Sequence, residues 1–174
     1  GDPLALTDVQ LFELIAAIEA IPHVKRLRIH SRLPIVLPQR ITLELCQRLA
    51  HSHLDCVMVV HANHANELGK DVAQACALLR QHQVQLLNQS VLLAHVNDTL
   101  TCLKELSERL FEFGIMPYYL HLPDHVAGTT HFFVNLKQTY DCGKDDNRPI
   151  LHSFVERGFN YFQGLSRRCS SHAA

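Results

Sequence analysis

Four short β-rich runs end on polar side chains that a core would not select. They are His30-Ser31-Arg32, then His61-Ala62-Asn63-His64-Ala65-Asn66-Glu67, then Asn88-Gln89-Ser90, and finally His121 with Asp124 and His125 just beyond. Imidazoles can carry protons or ligate metals, carboxylates can hold ammonium groups, and amides can orient a polar ligand. In parallel α/β architectures ligands sit at the carboxyl ends of the strands. The same polarity pattern on four runs therefore points to one composite site on a single rim.

Each residue also admits a plainer reading. Asn63 or Asn66 can cap the helix that follows. His61 and His64, three apart, could ligate zinc, and with His121 they allow a metal-dependent hydrolase, but the spacing fixes no third ligand. Gln89 lies within the apolar run Val84 to Leu93, so its amide is either a satisfied core group or a ligand contact. Ser31 can be a turn residue, and Arg32 before Leu33-Pro34 a solvated charge.

The elements that must position these residues recur about every thirty positions. The β-rich runs begin near Val24, Leu54, Val84 and Ile115, spaced 30, 30 and 31 residues apart. They read as strands Val24–Ser31, Leu54–His61, Val84–Ser90 and Ile115–His121. Helical patterns fill the intervals. Thr7 with Gln10 resembles a capping box before a helix Asp8–Ala20. Further helices are expected over Thr42–His51, Leu68–Gln81 and Asp98–Phe113, the last capped by Asn97 and closed by Gly114. In that last segment Leu100, Leu103, Leu106, Leu110 and Phe113 recur at steps of three and four. The alternation predicts right-handed crossovers and a parallel sheet, as a partial barrel or a flat doubly wound sheet. After Phe133 the rhythm stops. Residues 1–134 are read as one α/β unit, and 135–174 as a polar, divergent tail with six basic and four acidic residues.

Bulk properties narrow the function classes. Of the 174 residues 47% are apolar, enough for a buried core, and the formal net charge is −1. That balance argues against a general nucleic-acid surface, which needs clustered positive charge. No apolar run reaches membrane-spanning length and no signal peptide is visible. The chain opens Gly1-Asp2-Pro3-Leu4 without methionine, so further coding sequence is expected upstream. Cys46, Cys56, Cys76, Cys102, Cys142 and Cys169 contain no C-x-x-C pair. Cys46, Cys76 and Cys102 fall in helical patterns and read as reduced core residues of a cytoplasmic protein. No cysteine triplet is spaced to hold an iron–sulfur cluster.

Longer motifs carry a specific resemblance. The segment Ile21-Pro22-His23-Val24-Lys25-Arg26-Leu27-Arg28-Ile29-His30-Ser31-Arg32-Leu33-Pro34-Ile35-Val36-Leu37-Pro38-Gln39-Arg40-Ile41-Thr42 closely resembles the lysine 2,3-aminomutase family of radical S-adenosylmethionine (AdoMet) enzymes. So do the segment from His61 to Glu67, Asn88-Gln89-Ser90-Val91-Leu92-Leu93 with Val96-Asn97-Asp98, and Pro117-Tyr118-Tyr119-Leu120-His121. His30 and the His61–Glu67 motif look most like the branch that makes (R)-β-lysine for elongation factor P. The resemblance covers about Gly1 to Phe133.

That resemblance implies a partial (β/α) barrel, here about four β/α units, and an isomerase that moves the α-amino group of lysine to its β-carbon. It implies AdoMet, a [4Fe-4S] cluster and pyridoxal phosphate in the complete enzyme. Carried over by position, Asp2 in Gly1-Asp2-Pro3 matches a turn that meets the AdoMet ammonium, and His61, Gln89 and Ser31 match its AdoMet-facing rim. Asp124 matches the acid that holds the substrate's ε-ammonium, although Pro123 before it departs from the pattern. His121 aligns with a residue beside pyridoxal phosphate, where another side chain is usual. Two larger departures remain. The cluster motif C-x-x-x-C-x-x-C would precede Gly1 and is absent, and neither Lys137 nor Lys144 has the context of the lysine that anchors pyridoxal phosphate. The chain alone is thus expected to be inactive. An AdoMet- or partner-binding remnant without catalysis is the alternative. An exposed edge on the first strand is expected to favour self-association.

Overall fold

The computed structural model describes residues 1–123 and 130–132. It contains four strands, β1 (Arg26–Ser31), β2 (Asp55–Val60), β3 (Gln85–Val91) and β4 (Met116–His121), all parallel and ordered β1-β2-β3-β4. Five helices intervene: α1 (Asp8–Glu19), the single turn α2 (Leu33–Val36), α3 (Leu43–Ala50), α4 (Lys70–Gln81) and α5 (Leu100–Glu112). Sequential parallel strands joined by crossovers of one hand place every helix on the same face of the sheet. The result is an α/β fold of partial-barrel type.

Local chemistry explains most boundaries. Thr7 accepts a hydrogen bond from the Gln10 N–H at 3.4 Å while the Gln10 side chain accepts from the Thr7 N–H at 3.2 Å, so the expected capping box opens α1. Phe113 ends the hydrogen-bonding of α5, and Gly114 follows at φ +70°, the left-handed conformation that turns the chain into β4. Asn97, however, does not cap α5. Thr99 does, accepting from the Cys102 N–H at 3.2 Å, while Asn97 is wholly buried and bonds elsewhere. The α2 turn was not expected. Arg32 and Pro34 begin it, and its Pro34 and Ile35 are buried.

Residues paired in register along a parallel sheet share a face. Leu27 and Cys56, then Ile29, Met58 and Leu86, then Ser31, Val60 and Asn88 line the helix-facing side. There they meet Leu11, Ile15, Leu45, Cys46, Leu49, Val72, Cys76, Leu79, Leu106 and Leu110 in one apolar cluster. The alternate residues, Arg28 and His30 on β1 and Gln89 on β3, face the concave side. Between α1 and α3 the Arg48 guanidinium donates to both Glu19 carboxylate oxygens, at 3.0 and 2.7 Å. These bonds hold the Glu19 carboxyl down to about 2.

Candidate functional site

The sheet curls far enough for side chains of its edge strands to meet across the concave face. The Arg28 guanidinium of β1 lies 5.1 Å above the ring centre of Tyr118 on β4, although two strands separate them. A register shift opposite Asn88 and Gln89 leaves Tyr118 as an extra residue in β4, between Pro117 (paired with Asn88) and Tyr119 (paired with Gln89). Tyr118 and Tyr119 are consequently both solvent-accessible, with 3.0 Å between their hydroxyl oxygens. His121 continues this side, its ring centre 5.3 Å from that of Tyr119.

His61 stands one residue beyond β2 on the same side, its ring 6.2 Å from that of His30 and nearly perpendicular to it. Its Nε2 is buried and has no hydrogen-bond partner among the described residues. Burial, followed by the nearby His30 ring, depresses the His61 pKa, with smaller contributions from Arg32 and His121 against the opposing charge of Asp2. The imidazole is therefore biased to its neutral form, which offers a ligand one donor or one acceptor at Nε2. The Gln89 side chain, half-buried, makes no hydrogen bond within the described residues.

The other sequence candidates have defined places. Asp2 caps a 3-10 turn at Pro3–Ala5, accepting at Oδ1 from the Leu4 N–H and at Oδ2 from the Ser31 hydroxyl and the Arg32 N–H, each at 2.9 Å. Desolvation alone would raise its pKa, but the bonds from Ser31, Arg32 and Leu4 outweigh it and lower the value. Ser31 is 1% exposed and also accepts from the Leu33 N–H at 3.0 Å. It lies at the same end of the sheet as His61 and Gln89 but on the helix-facing side, so these residues share a pole without sharing a face. Together Asp2 and Ser31 dock the first residues of the chain onto the end of β1. Asp124 and His125 lie outside the described residues.

Neither asparagine suggested as a helix cap has that role. His64 caps the 3-10 turn Ala65–Glu67 through Nδ1, which accepts from the Asn66 N–H at 3.1 Å, and Gly69 precedes α4. Asn63 instead reaches across to β3, accepting from the Val91 N–H at 2.9 Å. The buried amide of the third run is Asn88, with no exposed surface, rather than Gln89. Sequence reasoning did not single out Arg28, Tyr118 or Tyr119, and it put Asn88 at the rim, whereas the structure buries it completely. Strict alternation puts Arg28 on the face of His30 and Asn88 on the face opposite Gln89, whereas the register shift at Tyr118 has no counterpart in side-chain periodicity.

Among the described residues no group of three His, Cys, Asp or Glu side chains could hold a metal ion. Cys46 and Cys76 are fully buried, and burial raises their thiols to about 11 and about 12. No three of Cys46, Cys56, Cys76 and Cys102 come together, so the described cysteines do not fit an iron–sulfur cluster, which needs several thiolates at one site. No helix among the described residues is long and apolar enough to cross a membrane. A cleft of about 350 Å³ bounded by Arg80, Gln83, Phe111 and Gly114 lies at the opposite pole of the sheet, by the strand starts. It is remote from the polar rim, where strand ends and unpaired groups coincide.

Fold and rim together define a parallel α/β partial barrel that gathers polar side chains at the carboxyl ends of its strands. No protein-family model matches the chain. Over most of its length it is homologous to the L-lysine 2,3-aminomutases. It is 55% identical over 155 residues to the L-lysine 2,3-aminomutase of Escherichia coli (89% of this chain, 43% of that protein). With the Haemophilus influenzae enzyme of the same name it shares 54% identity over 135 residues (78% of this chain, 40% of that protein). The relative from Buchnera aphidicola is 46% identical over 138 residues (79% and 41%). The chain thus spans about two-fifths of the length of these curated relatives.

Proposed function

We propose that this chain is the part of a radical AdoMet L-lysine 2,3-aminomutase that lines one side of its reaction chamber, in an enzyme making (R)-β-lysine for elongation factor P. The observation that carries the reading is the buried Nε2 of His61 at the rim, unpartnered among the described residues. A buried polar atom without a partner is rare in a folded protein and marks a place for a ligand atom. His61 and Gln89 would hold the adenosyl part of AdoMet, and Asp2, with Ser31, would shape the turn that meets its ammonium. His121 would stand beside pyridoxal phosphate, and Asp124 would fix the ε-ammonium of lysine. In the complete enzyme AdoMet would supply the radical, given an electron from a reductant outside the described residues, and pyridoxal phosphate would carry the migrating amino group. The work of this chain is to orient them and keep water from the concave face.

The described cysteines do not fit the iron–sulfur cluster, so the roles of these residues are binding and positioning. The chain alone should form neither β-lysine nor 5′-deoxyadenosine after anaerobic reconstitution with iron, sulfide, AdoMet and pyridoxal phosphate. Lysine-dependent formation of both would refute the assignment of roles. Binding separates part of an enzyme from an unrelated scaffold. Millimolar 5′-deoxyadenosine should shift the His61 and Gln89 resonances of the purified chain, and His61→Gln or Gln89→Ala should weaken that response. Shifts confined to residues away from the rim would leave the adenosyl assignment without support. Among the described residues β1 pairs only with β2. Its free edge, with Val36, Leu37 and Leu43 exposed in the connection that follows, should make the isolated chain associate as concentration rises, which light scattering would register.

A further inference from the structure

Three wholly buried polar side chains, Asn88, Ser90 and Asn97, lie directly behind the rim. The last ladder pair between β2 and β3 joins Val60 to Asn88. Beyond it the main chain of β2 leaves the sheet, yet Ala62 is still completely buried, so its peptide groups need partners. Asn88 supplies both. Its Oδ1 accepts from the Ala62 N–H at 2.9 Å, and its Nδ2 donates to the Ala62 carbonyl at 3.0 Å. The side-chain amide thus stands in for a peptide of the missing strand pair.

Ser90 completes the clamp. Its Oγ accepts from Asn88 Nδ2 at 2.7 Å and donates to the Ala62 carbonyl at 2.8 Å. Asn97 closes the next layer, with Nδ2 donating to the carbonyls of Asn63 at 2.7 Å and Val91 at 3.0 Å, and Oδ1 accepting from the Leu93 N–H at 2.7 Å. Glu67 holds the far side of the same loop, its Oε1 accepting from the N–H groups of Asn63 at 2.8 Å and His64 at 3.0 Å. His61 is therefore pinned between a ladder pair at 60 and a clamp at 62. Gln89 is pinned between the two residues that form the clamp.

We propose that Asn88 is a positioning residue, which with Ser90 aims His61 and Gln89 at a common ligand on the concave face. The role of the ligand rests on the adenosyl reading above, whereas the aiming of His61 can be measured without it. Removing the amide leaves the N–H of Ala62 buried and unpaired, a state relieved most cheaply by opening the 61–63 loop. His61 then loses its enclosure and its fixed distance from His30, Asp2, Arg32 and His121.

The test follows the His61 ring by long-range ¹H–¹⁵N spectra through a pH titration, in wild type, Asn88→Ala, Ser90→Ala and the control Leu45→Ala. Leu45 is fully buried on α3, on the helix-facing side. The native ring should titrate below an ordinary histidine, the two clamp variants should return it towards the ordinary value, and Leu45→Ala should leave it unchanged despite lower overall stability. Unaltered titration in folded Asn88→Ala, or an equal change in Leu45→Ala, would overturn the proposal. A parallel titration with 5′-deoxyadenosine should show binding about tenfold weaker in Asn88→Ala, as for loss of a well-placed hydrogen bond. If His61→Gln leaves nucleoside binding intact, the adenosyl reading falls, while the ring titration still decides the clamp.

Discussion

The two faces of the sheet are made by the same four strands and differ most at the strand ends and along β4, since Val59 and Leu87, in register with His30, are buried on the concave side as well. The helix-facing residues Leu27, Ile29, Met58, Val60 and Leu86 are at most 9% exposed and join a single core that reaches all the longer helices. On the concave side Tyr118 and Tyr119 are 37% and 44% exposed and share the surface with Arg28, His30, His61, Gln89 and His121. One residue of register separates a stabilising position from a ligand-facing one, because successive side chains on a strand point to opposite sides. Towards the strand ends stability and site are thereby encoded on alternate residues, and a substitution there should affect one far more than the other.

The largest effect should come from the closed face. Leu45→Ala should cost about 2–5 kcal/mol in chemical denaturation, the range for an unfilled core cavity. A loss below about 1 kcal/mol would mean that this face is less closely packed than its burial indicates. Gly114→Ala comes next, with a loss of about 1 kcal/mol or more in the same measurement. The added methyl meets the guanidinium of Arg80, and an L-residue does not favour φ +70°.

Acid should weaken the closed face before it reaches the fold at large. The Glu19 carboxyl is held at about 2 by its bonds from Arg48, against 4.5 for the free side chain. A carboxyl with a depressed folded pKa contributes its full stability above the unfolded value and loses it as pH falls through that window. The stability of wild type should therefore decline from pH 4.5 towards 2 more steeply than that of Glu19→Gln. The open face should respond at higher pH. His61, whose pKa is lowered from 6.5 by burial and by His30, takes up a proton more readily when unfolded. Its contribution is complete above pH 6.5 and diminishes as pH falls below it, so His61→Gln should flatten the stability profile there. The smallest effect is expected for Arg28→Ala. Thermal unfolding should shift by no more than about 0.5 kcal/mol, because the exposed guanidinium gives up one cation–π contact.

Much of this division was legible in the residues. Period-two alternation in β1, helical spacing in α5, the Thr7 capping box and Gly114 after α5 are local patterns. Secondary structure is set largely by local periodicity and by backbone groups that must find nearby partners. Thirty-residue spacing then leaves short crossovers little choice but parallel strands, and polar residues at the strand ends mark the rim. The amino-acid sequence by itself also determined the resemblance to the lysine 2,3-aminomutases, because long motifs in fixed order identify a family without reference to shape.

Only the tertiary structure decided which of these polar residues work together. Asn88 and Gln89 are adjacent amides, yet one is entombed against Ala62 and the other looks onto the concave face. Asn97 stands where a helix cap would, but the approach of Asn63 and Val91 claims its amide first. Ser31 reads as a rim residue until Asp2, 29 positions away, takes its hydroxyl. Each outcome turns on a partner distant in sequence. A polar side chain bonds to whatever packing brings within about 3 Å, and that proximity is fixed by the fold rather than by neighbours along the chain.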